Sequence, residues 1–411
     1  MTKSYKVAYE RHRRRPQEPN YIGDLNDLVD FSNPSSDPRI IPHNHDRYQC
    51  RYQGPTFGIT THPGFVYIPQ ALSKRMQTDI AYKALTDFCN APHRTNIDLV
   101  PKKENEIDNQ ETVSMSMWNL WKKDQRLLRK KQWARTEKEG CESESVCTAR
   151  YYKSFDKLSW ATAGYHYDWT TRSYNENMKS PMPPIMSALG SLFAELDPSL
   201  SPTPPPQGQR QGHDQDSSNE NEFTASASIV NYYSIKSNMG GHRDDLELDR
   251  TKPVVSISLG LPAVFLLGGK SKEEEPVIGI LVRPGDVMLL AGGSRLCFHG
   301  MARVIPKEVV LPRPSLEEYM TVDSDVDGDG DDGVHYKSQM GSWNDECMKM
   351  NEASTSGIQP ILLSELITPE IDVDAVAEFL SEHRININLR QVLPNGMDRI
   401  PFKNNTISAR S

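Results

Sequence analysis

The chain has 411 residues, enough for two to three domains of about 150 residues each. Hydrophobic residues make up 36%, below the usual ~45–50%, and 29 prolines are scattered through the chain, so part of it cannot join a core. The dense apolar runs of the later half nevertheless exclude a collagen-like chain, a coiled coil and wholesale disorder. The most apolar uncharged stretch, Pro253–Gly269, holds 17 residues, short of the roughly 20 that a membrane helix needs, so no membrane partner is expected. The net charge is −8, but eight acids and no lysine or arginine lie between Glu317 and Asp332. The remainder is near neutral and carries basic blocks, which keeps nucleic acid open as a partner. Six cysteines, at 50, 89, 141, 147, 297 and 347, form no CxxC pair, which points to a reducing, intracellular compartment. The first fifteen residues hold six Lys/Arg but no apolar core, so no secretory signal is expected. Nucleus, cytoplasm and mitochondrion are not resolved from one another.

Residues 1–60 are polar and proline-punctuated and read as an irregular N-terminal region. A helical region with a short leading strand is expected over 61–224. GFVYIPQAL reads as strand and turn. SKRMQTDIAYKALTDFC, with Met76, Ile80, Ala84, Leu85 and Phe88 near helical spacing, reads as a helix capped by Ser73. A second helix is expected over Met115–Lys138. Residues 139–148 and 199–222 are low-complexity linkers. From 225 to 402 the pattern changes to short β-branched strands, ASIVNYYSI, VVSISLG, AVFLLG, VIGILVR and DVMLLAG, separated by glycine and proline turns. An acidic insertion at about 314–357 interrupts them. A helix near Asp374–His383 and the alternating strand ININLRQ follow, then a tail at 403–411. Closely spaced strands with few helices between them predict a mostly β fold with flanking helices, an antiparallel sandwich or jelly roll. A parallel sheet would need a helix at each crossover.

The sharpest local feature is His242-Arg243-Asp244. His and Asp two apart at a strand end point the same way. One imidazole and one carboxylate are two thirds of the facial triad that leaves open positions on non-haem Fe(II). His299, in RLCFHG, lies 55 residues beyond Asp244, after DVMLLAG, where a sheet can return it as third ligand. Alone, HxD is a weak signal, since such a pair is usually surface polar sequence. Asn231 and Tyr233 alternate on one strand face upstream. Arg384, Asn386 and Arg390 share parity on ININLR, and two inward arginines are costly unless they meet anions. A dicarboxylate such as 2-oxoglutarate would satisfy both, whereas solvated arginines on an edge strand would be the plainer reading of either one singly.

Together, N-x-Y, H-x-D, VSISLGLPAVFLLGG, PGDVMLLAGGSRLCFHG and R-x-N-x-x-x-R closely resemble the AlkB family of Fe(II)/2-oxoglutarate dioxygenases, over about Trp160–Val392. WATAGYHYDW, GFVYIPQAL and TNID resemble its AlkB homologue 1 branch. The resemblance implies a double-stranded β-helix core with iron held by His242, Asp244 and His299. It implies that 2-oxoglutarate is held by Asn231, Tyr233, Arg384, Asn386 and Arg390, with Arg384 on the distal carboxylate and Arg390 near the chelating end. It further implies that Fe(II), 2-oxoglutarate and O2 together oxidise an N-methyl group on DNA or tRNA methyladenine, leaving formaldehyde, succinate and CO2. Trp160, Tyr165, Tyr167 and Trp169 lie where the family builds its nucleotide lid, although some of these aromatics would serve equally as core.

The stretch 121–138 holds eight Lys/Arg with Trp121 and Trp133 interleaved, which suits either phosphate contacts or a solvated helix face. DSDVDGDGDDG resembles a calcium loop, but Val334 stands where a bidentate Glu is needed, so a solvated acidic loop is expected. His383 has the wrong strand parity for the pocket and reads as structural. The rival readings are the same chemistry on a protein or small molecule, and a non-catalytic nucleic-acid-binding module on the same fold. No sequence feature points to a required protein partner.

Overall fold

The computed structural model describes residues 4–14, 23–43, 54–97, 157–200, 222–309 and 371–401, with isolated positions at 18, 50–52, 118, 119, 121, 122, 311 and 406–408. Five helices are found there: α1 (Ser4–His12), the single turn α2 (Gly23–Asn26), α3 (Lys74–Thr86), α4 (Pro184–Ala194) and α5 (Val373–Glu382). The strands before the linker at 201–221 are β1 (Ile40–Pro42), β2 (Phe57–Ile59), β3 (His62–Ile68), β4 (Arg94–Thr95), β5 (Trp160–Asp168) and β6 (Ser173–Lys179). After it come β7 (Ala227–Ser234), β8 (Met239–His242), β9 (Val254–Gly260), β10 (Ala263–Leu267) and β11 (Ile278–Val282). The last four are β12 (Val287–Leu290), β13 (His299–Val304), β14 (His383–Arg390) and β15 (Thr406–Ser408).

The eight strands β7 to β14 divide between two sheets, β12-β9-β14-β7 in one and β11-β10-β13-β8 in the other. Every ladder among them is antiparallel. This is the expected jelly roll. The larger sheet continues through β3, β2 and β1 on one side and through β5, β6 and β15 on the other.

Strand β14 shows how sequence sets the layers. Its side chains alternate across the sheet, so Ile385, Ile387 and Leu389 enter a core with α3, α4 and α5 on one face. Each is essentially fully buried, a contribution of roughly 1.5–3 kcal/mol apiece. Arg384, Asn386 and Arg390 take the other parity, toward the second sheet. Part of that interior is apolar: Val254, Met288 and Leu290 pack against Phe265, Leu267, Ile278 and Ile280. The rest is the polar pocket.

Helix α3 starts as its sequence predicts, with the Ser73 hydroxyl accepting from the Met76 amide at 3.2 Å. Three expectations are corrected. Residues 1–60 are not irregular throughout, because they supply α1, α2, β1 and β2. Phe31 there stacks on Tyr67 of β3, centroids 4.1 Å apart. The apolar residues of this region are too sparse to show a period, and several of them, Val29, Phe31, Phe57 and Ile59 among them, are buried against neighbouring strands. The boundary at 224/225 does not divide the sheet, since β5 pairs with β7 and β3 with β12. The stretch 403–411 is more than a tail: Thr406–Ser408 pairs with β6.

Of the second helix only Trp118, Asn119, Trp121 and Lys122 are described. Trp118 and Trp121 stack on each other at 4.7 Å and meet Phe379 of α5 edge-on, so they are core anchors. The remaining cations of 121–138, the acidic insertion with its calcium-like loop and the linker at 139–148 lie outside the described residues. No described helix is long and apolar enough to cross a membrane.

Candidate metal centre and co-substrate pocket

Strands β8 and β13 pair so that His242 lies opposite His299. Asp244 follows in the loop after β8. One ligand atom from each of these three residues lies within 4.8 Å of the others. The His242 Nδ1 is 3.1 Å from the Gly240 carbonyl, and the His299 Nδ1 is 3.1 Å from the Cys297 carbonyl. A carbonyl only accepts, so each Nδ1 carries the proton and each Nε2 presents a lone pair. Burial, and next to it the proximity of the His242 ring, push the His299 imidazole down to about 4 against the pull of Asp244, so it is neutral at physiological pH. Burial alone would push the Asp244 carboxyl up. Arg390, His299, His242 and Arg295 outweigh it and hold the carboxyl well below the ordinary carboxylate range. Two imidazole nitrogens and one ionised carboxylate within 4.8 Å of one another fit a divalent iron with open positions.

A buried ring of charge holds Asp244. Its Oδ1 accepts from the Arg390 guanidinium at 2.8 Å, and its carbonyl accepts from Arg295. Arg295 also donates to the Glu247 carboxylate at 3.0 Å and the Lys252 carbonyl at 2.7 Å. Glu247 closes the ring, 3.8 Å from the Arg390 Nε, and accepts from the Tyr174 hydroxyl of β6 at 3.2 Å. The sequence reading missed Arg295 and Glu247. The available signal was a lone cation within the uncharged run before His299, and an acid five residues past His242.

At the other end of β14, Arg384 is 2% exposed. It donates to the Ser258 hydroxyl at 2.8 Å and the Leu261 carbonyl at 3.2 Å, and its Nε has no partner among the described residues. Burial pushes this guanidinium below its ordinary value, with Tyr233, Tyr67 and Asp286 opposing. A buried cation with only neutral acceptors and one orphaned N–H fits the anionic end of a ligand. Tyr233 lies beside it across the β7–β14 ladder, as Asn231 lies beside Asn386. Asn386 donates to the Ser256 hydroxyl at 2.9 Å. His383 stacks on Phe379, centroids 4.2 Å apart, and points away from the pocket, as its parity predicts.

The four lid aromatics separate. β5 bends at Gly164, whose φ of 69° few other residues adopt. Trp169 returns onto Trp160, rings 4.0 Å apart, with Tyr167 edge-on at 4.9 Å. Trp169 is 40% exposed. Burial raises the Tyr167 hydroxyl, and this half-buried ring also packs edge-on against Tyr174 at 5.6 Å. Tyr165 is core: it packs with Tyr174 and Leu246, and its hydroxyl donates to Glu176 at 2.7 Å.

A jelly roll with this donor set defines a non-haem iron oxygenase. The chain belongs to the 2OG-Fe(II) oxygenase superfamily, whose family model matches residues 119–390, and within it to the AlkB homologue 1 branch. It is 32% identical to the DNA N(6)-methyladenine demethylase ALKBH1A of Arabidopsis thaliana over 338 residues, 78% of this chain and 88% of that protein. It is 30% identical to the human nucleic acid dioxygenase ALKBH1 over 277 residues, 64% of this chain and 59% of that one. The tRNA demethylase abh1 of Schizosaccharomyces pombe is 33% identical over 150 residues, 36% of this chain and 43% of its own.

Proposed function

We propose that the chain is an Fe(II)/2-oxoglutarate-dependent dioxygenase that demethylates N-methylated bases in nucleic acid, with methyladenine of DNA or tRNA as substrate. The observation that carries the reading is the His-Asp-His donor set, supported by a buried arginine on β14 whose hydrogen bonds go only to neutral acceptors. In this reading His242, Asp244 and His299 hold the iron. Arg384 fixes the far carboxylate of 2-oxoglutarate, and Asn231, Tyr233 and Asn386 line its length. When bound, iron and 2-oxoglutarate supply the oxidation, in which O2 is consumed, succinate and CO2 leave, and the hydroxylated N-methyl group is shed as formaldehyde.

The protein's part is positional. The two Nδ1–H bonds to carbonyls fix the imidazole planes, and Arg390 keeps Asp244 ionised and oriented. A target base must leave its stack to reach the centre, and Trp160, Tyr167 and Trp169 offer π-faces beside it. The names of the Arabidopsis and fission-yeast relatives support methyladenine in DNA and a methylated tRNA. The test is formaldehyde release from methylated tRNA, single-stranded DNA and double-stranded DNA with Fe(II) and 2-oxoglutarate. Release from at least one, strictly dependent on 2-oxoglutarate, is expected. Turnover of methylated peptide with none of the three nucleic acids demethylated would overturn the reading.

A further inference from the structure

Strand β8 carries His242 but is poorly held by its own sheet. It is the edge of the smaller sheet, and its ladder to β13 has two register pairs, His299↔His242 and Met301↔Met239, with an irregularity between them. Its sequence, Met239-Gly240-Gly241-His242, offers two glycines in place of anchoring side chains, which weakens a strand.

Helix α1 supplies what β8 lacks. Tyr5 is 3% exposed and lies in a seat made of three glycines. A Cβ on Gly241, next to His242, would come 2.3 Å from the Tyr5 Cε1. One on Gly300, next to His299, would come 2.9 Å from its hydroxyl oxygen, and one on Gly268 beyond β10 would come 2.9 Å from its Cδ2. The Tyr5 amide donates to the Lys272 carbonyl at 3.0 Å. One turn later the Tyr9 hydroxyl donates to the Asn238 side chain at 2.6 Å, just ahead of β8. The far end of the helix is tied by Arg11 to Asp24 at 3.1 Å. The Tyr5 hydroxyl is buried and has no hydrogen-bond partner among the described residues, so the ring's shape is what the seat uses.

We propose that α1 is a brace on the metal centre, and that Tyr5 is a positioning residue whose ring, wedged against Gly241 and Gly300, fixes the spacing of His242 and His299. The inference rests on the assignment of His242, Asp244 and His299 to the metal. A side chain that acts through the strands behind two ligands alters metal affinity on the scale of other outer-shell partners, about 10–100-fold.

The test is titration of the full chain with Co(II), followed by its visible absorption, alongside the thermal midpoint of the metal-free protein. His242→Ala is the blank. Tyr5→Phe keeps the ring and loses only an unpartnered hydroxyl, so it should bind Co(II) within about twofold of the parent. Tyr5→Ala should bind about tenfold more weakly. Gly241→Ala should weaken binding similarly, because its new methyl group meets the ring. In the double variant Tyr5→Ala/Gly241→Ala that collision is gone, so the two losses should not multiply. A Tyr5→Ala protein that melts lower yet binds Co(II) like the parent would make α1 an ordinary structural element and overturn the inference. Losses that multiply in the double variant would do the same. A parent chain whose Co(II) binding matches the His242→Ala blank would instead remove the metal site itself.

Discussion

The two arginines of β14 share a strand, a parity and near-complete burial, yet their surroundings are opposite. Arg390 is enclosed by carboxylates, 2.8 Å from Asp244 and 3.8 Å from Glu247. Burial would push it down, but Asp244, Tyr174 and Glu247 raise it above its ordinary value. Arg384 meets a serine hydroxyl and a backbone carbonyl, with no carboxylate partner among the described residues. One end is therefore electrically complete in the protein alone, with Asp244 and Glu247 matched by Arg390 and Arg295. At the other end Arg384 is desolvated and hydrogen-bonded only to neutral acceptors, with the charge of Asp286 opposing the effect of burial. Two residues of the same type on one strand thus have different electrostatic surroundings, and in the proposed reading the neighbours rather than the residue type decide which one positions a ligand and which one binds.

The complete end should be the less tolerant. Replacing His242, Asp244 or His299 by Ala should reduce formaldehyde release by more than the roughly 10–100-fold typical of outer-shell partners, with the sheet still folded by circular dichroism. Iron-dependent turnover persisting in Asp244→Ala would dissolve the distinction between the two ends.

The next effect is on stability. Arg390→Met leaves Asp244 and Glu247 buried without their shared cation and should cost about 3–5 kcal/mol in chemical unfolding of the ligand-free protein. Arg384→Met removes a buried cation with no counter-ion and should be neutral or stabilising. Equal destabilisation by the two would mean that both arginines are structural. The smallest effect lies at the lid. Trp169→Ala should weaken binding of single-stranded nucleic acid by about 1–3 kcal/mol, the usual worth of one stacked base, whereas Tyr165→Phe should leave binding unchanged. Fluorescence anisotropy with a labelled oligonucleotide reads both.

Strand alternation was legible: the inward set Arg384, Asn386 and Arg390 and the apolar set Ile385, Ile387 and Leu389 fall on the faces that their spacing predicts. The three candidate ligands His242, Asp244 and His299 were legible as residues and lie together, but the register that sets His242 opposite His299 was not, because it depends on β8 and β13 meeting across more than fifty residues of chain. Tyr165 and Tyr167 share parity in the sequence. A register shift falls between them, after the positive-φ Gly164, and Tyr165 is buried while Tyr167 is only half-buried against the same cluster and reaches Trp169. A local irregularity of that kind leaves no periodic trace. The ring through Glu247 and Arg295 was hidden because each partner lies in a different loop, and Tyr5 because its seat consists of glycines.

The account stands or falls on Arg384 as the anchor of the co-substrate. Differential scanning of the parent and Arg384→Ala with a redox-inert divalent metal, with and without 2-oxoglutarate, measures this directly. A ligand at a hundred times its Kd adds about 2.7 kcal/mol to the folded state, a rise of roughly 3 °C if the whole chain melts as one unit and more if a smaller core does. The parent should show that rise, and Arg384→Ala should lose most of it. An equal rise in both would place the anion pocket elsewhere and contradict the account.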